Sequence, residues 1–158
     1  MLTVDKYIGS YWRHKDKSRR WEYHAKAIGL LEPIDYNTVL EAGTMGVRLC
    51  DCSDTIEYDI PELKFDLYFE PTYNHDLKSL PWCVGDKQYD VFIALRVFHH
   101  NKLRDKPQEY LKEMKRISNH ILLALPKKMA EIYKLISKPT QEIRCRRGDT
   151  VILYYNVA

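Results

Sequence analysis

Two adjacent histidines, His99 and His100, stand at the exit of the chain's most apolar run, with Arg96 just before them. Histidine has the proton affinity nearest neutral pH, so such a pair can deprotonate or orient an acceptor. The run that carries them is Tyr89-Asp90-Val91-Phe92-Ile93-Ala94-Leu95, rich in β-branched and aromatic side chains. That composition reads as a strand buried on both faces. Ligand groups gather beyond the carboxyl ends of parallel strands. Ala94, Arg96, His99 and His100 are therefore expected at the mouth of a site, with Asp76 delivered beside them. The plainer alternative is that one histidine caps a helix or packs at the strand's exit. A metal centre would need His75, His99 and His100 to converge with Asp76 or Cys50. Their spacing does not require it, and no metal is expected.

The elements that must position these groups follow from the pattern of apolar residues. Residues 1–36 read as an amino-terminal helical cap: Asp16 or Ser18 starts a helix with Trp21, Ala25 and Ile28 inward, and Gly29 is its expected stop. Residues 37–158 read as an α/β unit, the whole forming one compact domain. Asn37 to Gly43 is the first core strand. Val47 to Cys50 is expected as a short helix, Thr55 to Ile60 and Phe65 to Glu70 as strands ended by Pro61 and Pro71. Pro107 opens a helix whose apolar face is Tyr110, Leu111, Met114 and Ile117. His120 to Pro126 is another buried strand, and Lys128 to Ile136 a short helix. Gln141 to Cys145 and Thr150 to Tyr155 flank Gly148-Asp149 as a hairpin.

Composition bounds the rest. With 158 residues, 45% hydrophobic and 30% charged, the chain suits one soluble globular domain. A formal charge of +3 does not by itself declare a nucleic-acid binder. The four cysteines, Cys50, Cys52, Cys83 and Cys145, make neither a zinc spacing nor a disulfide framework, so reduced thiols and a cytoplasmic setting are expected. No segment has signal-peptide or membrane-spanning character, so no membrane partner is expected. The basic run from Arg13 to Arg20, between Trp12 and Trp21, could face an anionic substrate or an RNA backbone, or form a solvated helix start.

From about Thr38 to Pro126 the chain resembles a class I S-adenosylmethionine-dependent methyltransferase. The resemblance is carried by Asp76 ahead of Leu80-Pro81-Trp82, by the polar loop Val84 to Gln88, and by the Tyr-Asp-Val strand ending near a histidine pair. It is extended by Glu41 and Gly43 at the place of an acid and a glycine-rich turn. There the sequence departs from the pattern, because Met45 and Val47 hold the next two glycine positions and Gly46 lies between them. The resemblance implies a Rossmann-like three-layer sandwich, its mostly parallel sheet closed by an antiparallel carboxyl-terminal hairpin. It implies S-adenosylmethionine as cofactor, bound by Glu41, Gly43, Gly46, Asp59, Asp76, Leu77, Ala94 and Arg96. Glu57 and Glu70 rival Asp59 for the ribose, and His99 and His100 would be catalytic. Absence of a Gly-x4-Gly-Lys-Ser/Thr or Gly-x-Gly-x-x-Gly segment disfavours nucleoside triphosphates and dinucleotides.

The implied reaction is methyl transfer to a small-molecule or glycan-type acceptor, since no large recognition domain accompanies the core. One rival is a non-catalytic protein of the same fold that binds a partner. Another is an RNA methyltransferase using the basic amino-terminal run. It is less favoured, because overall charge is modest and stacking aromatics near that run stop at Trp12 and Trp21.

Overall fold

Alternating apolar residues build seven strands into one sheet, and a computed structural model describes it over residues 1, 17–44, 48–51, 53–57 and 71–158. The strands are β1 (Val39–Ala42), β2 (Asp54–Glu57), β3 (Tyr73–Asn74), β4 (Tyr89–Leu95), β5 (Ser118–Pro126), β6 (Gln141–Arg144) and β7 (Thr150–Asn156). Among the described residues three helices accompany them, α1 (Lys17–Leu31), α2 (Pro107–Ile117) and α3 (Lys127–Ile136). Strand order is β3-β2-β1-β4-β5-β7-β6. The first five strands run parallel, and β7 pairs antiparallel with both β5 and β6. The expected three-layer α/β sandwich with a carboxyl-terminal hairpin is thus the observed one.

The period of two assigns side chains to the two faces. Leu40, Phe92, Ala94, Ile121, Leu123, Val151 and Leu153 pack with Tyr110, Leu111, Met114, Ala130 and Tyr133 of α2 and α3. Val39, Val91, Ile93, Leu122, Ala124 and Ile152 pack on the other face with Tyr23, Ala27, Leu30 and Leu31 of α1. Helix α1 is therefore one of the two layers that cover the sheet. Its inward stripe also differs from the expected one: Trp21, Ala25 and Ile28 are only half-buried. Gly29 is exposed inside the helix, which continues to Leu31 and so adds Leu30 and Leu31 to the buried face.

Other expectations shift for identifiable reasons. Arg48, Leu49 and Cys50 form a bend and not a helix, because the Leu49 and Cys50 amides are drawn to a carboxylate instead of to helical carbonyls. The Thr55 strand is found as β2, while Asp59, Ile60 and the Phe65–Glu70 segment lie outside the described residues, as do Gly46 and most of the basic run. The short strand β3 lacks any apolar pattern in its sequence. The Lys128 helix begins at Lys127, and the His120 strand begins at Ser118. Among the described residues no helix is long and apolar enough to cross a membrane.

The Asp of the Tyr-Asp-Val strand proves to be structural. Asp90 Oδ2 accepts from the Asn37 amide at 2.8 Å, the Thr38 amide at 2.9 Å and the Thr38 hydroxyl at 3.1 Å, tying the entry of β1 to β4. These donors, the Asn37 amide first, hold its carboxyl below the usual aspartate range. Replacing Asp90 with Ala removes three bonds at a largely exposed position. The expected loss is about 1–2 kcal/mol in urea unfolding at pH 7. Because a depressed carboxylate stabilises above its unfolded pKa and loses that effect as pH falls through the folded one, the difference should shrink in acid.

Candidate functional site

The chain's direction of travel across the sheet reverses at β1. From β1 the chain moves outward to β2 and β3, then returns to lay β4 on the other side of β1. Beyond the carboxyl ends of β1 and β4 lies the switch point at which open α/β sheets bind ligands. Glu41 and Gly43 come from β1, Glu57 closes β2, Asp76 and Leu77 follow β3, and Arg96 to His100 follow β4.

Glu41 is buried, 3% exposed, yet ionisable. The Leu49 amide donates to Oε1 at 2.6 Å, the Cys50 amide to Oε2 at 3.2 Å, and the Ser53 hydroxyl to Oε2. Burial outweighs these donors and pushes the carboxyl up to about 7. Ser53 Oγ also lies 3.0 Å from the Cys50 carbonyl, although the hydroxyl has a single proton. A protonated Glu41 can donate to Ser53, which then serves the carbonyl, so the neutral form satisfies more partners than the anion. Glu41 thus binds its own loop and positions the turn.

Gly43 has φ of 61°, in the left-handed region that favours glycine. Its amide donates to the Ile56 carbonyl at 3.1 Å, and a Cβ built there would lie 2.7 Å from Val97 Cγ2. The glycine is therefore required by the approach of the Val97 side chain after β4. Ala94, expected at the mouth, is 1% exposed and belongs to the core.

Asp76 forms a turn: Oδ1 accepts the Lys78 amide at 3.0 Å, and the Lys78 ammonium lies 3.5 Å from Oδ2. Its carboxylate stays partly exposed, at 30%. Leu77 is buried, and its carbonyl accepts the Trp82 indole at 3.0 Å. Arg96, with φ of 62°, turns its guanidinium toward the hairpin, to Asp149 Oδ1 at 3.2 Å and the Thr150 hydroxyl at 3.1 Å. The sequence pattern placed Arg96 at the mouth but could not show this partner, which comes from a strand over fifty positions later. The rings of His99 and His100 lie against each other at a tilt of 34°, with centroids 4.4 Å apart. His99 Nδ1 is buried without a protein hydrogen-bond partner. Burial, then His100 and Arg96, push His99 down to about 4, so its ring is neutral at pH 7. His75, by contrast, is held by the Ser79 carbonyl at 2.8 Å. Among the described residues no three His, Cys, Asp or Glu side chains are grouped to hold a metal.

No protein-family model matches the sequence, and no curated protein matches it. Solved structures do. A S-adenosylmethionine-dependent methyltransferase from Aquifex aeolicus superposes with a TM-score of 0.58 at 15% identity, covering 100% of both chains. The N-methyltransferase NodS from Bradyrhizobium japonicum, solved with S-adenosyl-L-homocysteine, gives 0.60 at 11% identity over 97% of this chain and 95% of its own. The 16S rRNA methylase RmtB gives 0.61 at 11% identity over 97% of this chain and 68% of its own. With the strand order, these likenesses establish the class I methyltransferase fold for this chain.

Two consequences are measurable. Gly43→Ala should cost about 2–4 kcal/mol, combining left-handed strain with the Val97 clash. Adding Val97→Ala should relieve the clash only, leaving a deficit that chemical denaturation detects. Glu41 should make stability fall between pH 4.5 and about 7, because there the folded state retains a proton that the unfolded chain has lost. Its contribution is complete below the lower value and gone above the upper one. Glu41→Gln, a neutral mimic of the protonated form, should flatten that stretch of the stability–pH curve by up to about 3 kcal/mol.

Proposed function

We propose that this protein transfers a methyl group from S-adenosylmethionine to an acceptor admitted beside His99. The observation that carries the reading is the partly exposed Asp76 carboxylate and the orphaned His99 Nδ1, which follow β3 and β4 beyond the carboxyl ends of the strands that flank the switch point of this strand order. A sulfonium cofactor is cationic, so an acidic flank suits it, and having no phosphate it needs no glycine-rich phosphate cradle. The displaced glycine at position 46 is consistent with that. The half-exposed Asp76 carboxylate and the orphaned His99 Nδ1 are groups that a bound ligand would satisfy. Asp76 and the Leu77 backbone would hold the adenine end. Glu57, at the end of β2, and Asp59 are the carboxylates proposed for the ribose; Asp59 lies outside the described residues. When bound, the cofactor supplies an electrophilic methyl group.

The chain's own contribution is placement, since displacement at a sulfonium gains most from in-line alignment. His99 is too weak a base to be matched to neutral pH, so its role is to hold the acceptor's nucleophile by a hydrogen bond. His100, exposed and also pushed down by burial, flanks it. The acceptor proposed is a small molecule or glycan; α1 packs on the sheet as a layer of the core.

Calorimetry and thermal melting with S-adenosylmethionine test this. Binding should raise the melting temperature by linkage. Asp76→Ala should weaken binding roughly tenfold while leaving the fold intact. His99→Ala should lower turnover more than cofactor affinity. No binding at millimolar cofactor would end the enzymatic reading and leave a partner-binding protein of the same fold.

A further inference from the structure

The carboxyl edge of the sheet is divided in charge at the parting of β1 and β4. The β1–β2–β3 side ends in Glu41, Glu57 and Asp76, with Lys78 and Arg48 as its cations. The β4–β5–β7 side carries Arg96, Lys127, Lys128, Arg146 and Arg147, with Asp149 and Glu22 the acids among them. These groups are neighbours in space. Arg96 bonds Asp149, the Lys127 amide donates to the Asp149 carbonyl at 2.8 Å, and His99 lies within the fields of Arg96 and Asp149.

Lys127, Lys128, Arg146 and Arg147 are exposed and make no ion pair among the described residues. Two of them sit in the first turn of α3, which has no acid there and no side-chain cap. The helix macrodipole disfavours cations at that end, so the fold gives no reason for the lysines. The arginines are likewise unneeded for the hairpin. Glu22 of α1 holds the turn through the main-chain amides of Arg146 and Arg147, and the Arg147 guanidinium lies within its field without forming an ion pair.

We infer that the acceptor carries phosphate, its anionic group seated between Lys127 and Lys128 on one side and Arg146 and Arg147 on the other. This rests on the methyl-transfer reading for its word "acceptor", and on the charge layout alone for the site. Arginine and lysine bind phosphate oxygens by charge-assisted hydrogen bonds. A small or glycan-type phosphate ester is favoured over RNA. Single-stranded nucleic acid wants exposed aromatic platforms, and the exposed large apolar side chains among the described residues are Met1, Ile132 and Leu135.

Calorimetry on the full chain with inorganic pyrophosphate, without S-adenosylmethionine, tests the site. Binding at millimolar pyrophosphate or below is expected, weakened roughly tenfold in Arg146→Ala/Arg147→Ala. The melting temperature of that variant should hold, because the Glu22 bonds go to the backbone. Lys138→Ala, on a different part of the surface, should bind as the parent does. Absent binding, or equal binding in the arginine variant, overturns the site. Tight, steeply salt-dependent retention of a mixed RNA oligomer, without pyrophosphate binding, overturns it in favour of nucleic acid. Pyrophosphate binding by a protein that ignores S-adenosylmethionine would uphold the anion site and discard methyl transfer.

Discussion

The burial of Glu41 is the constraint on which the site's geometry depends. A carboxyl removed from water must find donors within the protein or lose its proton affinity balance. Here the donors come from Leu49, Cys50 and Ser53, so the loop leaving β1 is folded back over the strand that it leaves. That return fixes the direction of chain entering β2 and holds open the turn at Gly43. The turn after β1 is therefore held by the chain's own bonds. Preorganisation of this kind is what a reaction limited by alignment needs, because the cost of ordering is met on folding.

Other polar contacts repeat this logic at the two ends of the sheet. Asp90 joins β1 to β4 at their entry, and Asp54 accepts the Tyr89 hydroxyl at 2.6 Å to bind β2 into the same edge. Glu113 accepts the Trp82 amide at 2.7 Å while Arg116 braces it, pinning the loop after Asp76 onto α2. Each is a carboxylate serving main-chain or hydroxyl donors across elements distant in sequence. Buried backbone donors need such partners, and the neighbouring segments have no regular ladder to offer them.

What the sequence disclosed follows from which forces are local. The strands β4 and β5 are continuous apolar runs, and α2 repeats its apolar face every three or four residues, so period alone revealed them. Gly148-Asp149 marked the hairpin because a turn must have residues that tolerate it. By contrast, β3 is two residues held by β2, with no pattern of its own to read. The inward face of α1 was misjudged because a glycine in helical conformation does not end a helix. At the candidate site, Glu41, Gly43, Asp76 and the histidines lie at or just beyond the carboxyl ends of β1, β3 and β4. Their partners did not show, since Val97 over Gly43 and Asp149 against Arg96 are joined only by folding.

The same distinction separates cofactor from acceptor. An acid or a cation is visible in sequence, but whether it is neutralised depends on its neighbours in space. Glu22 and Arg147 would be read as a salt bridge from their charges, yet the carboxylate is bonded to the backbone of the turn and meets the guanidinium only through its field. Formal charge of +3 therefore conceals a sheet edge whose halves differ in sign. A cation and an anion that must meet in line gain from such a division, because each is drawn to its own side of the edge and repelled from the other. In the methyl transfer proposed above, such a field would order the two molecules along the edge, so that the distribution of charge would contribute to their alignment.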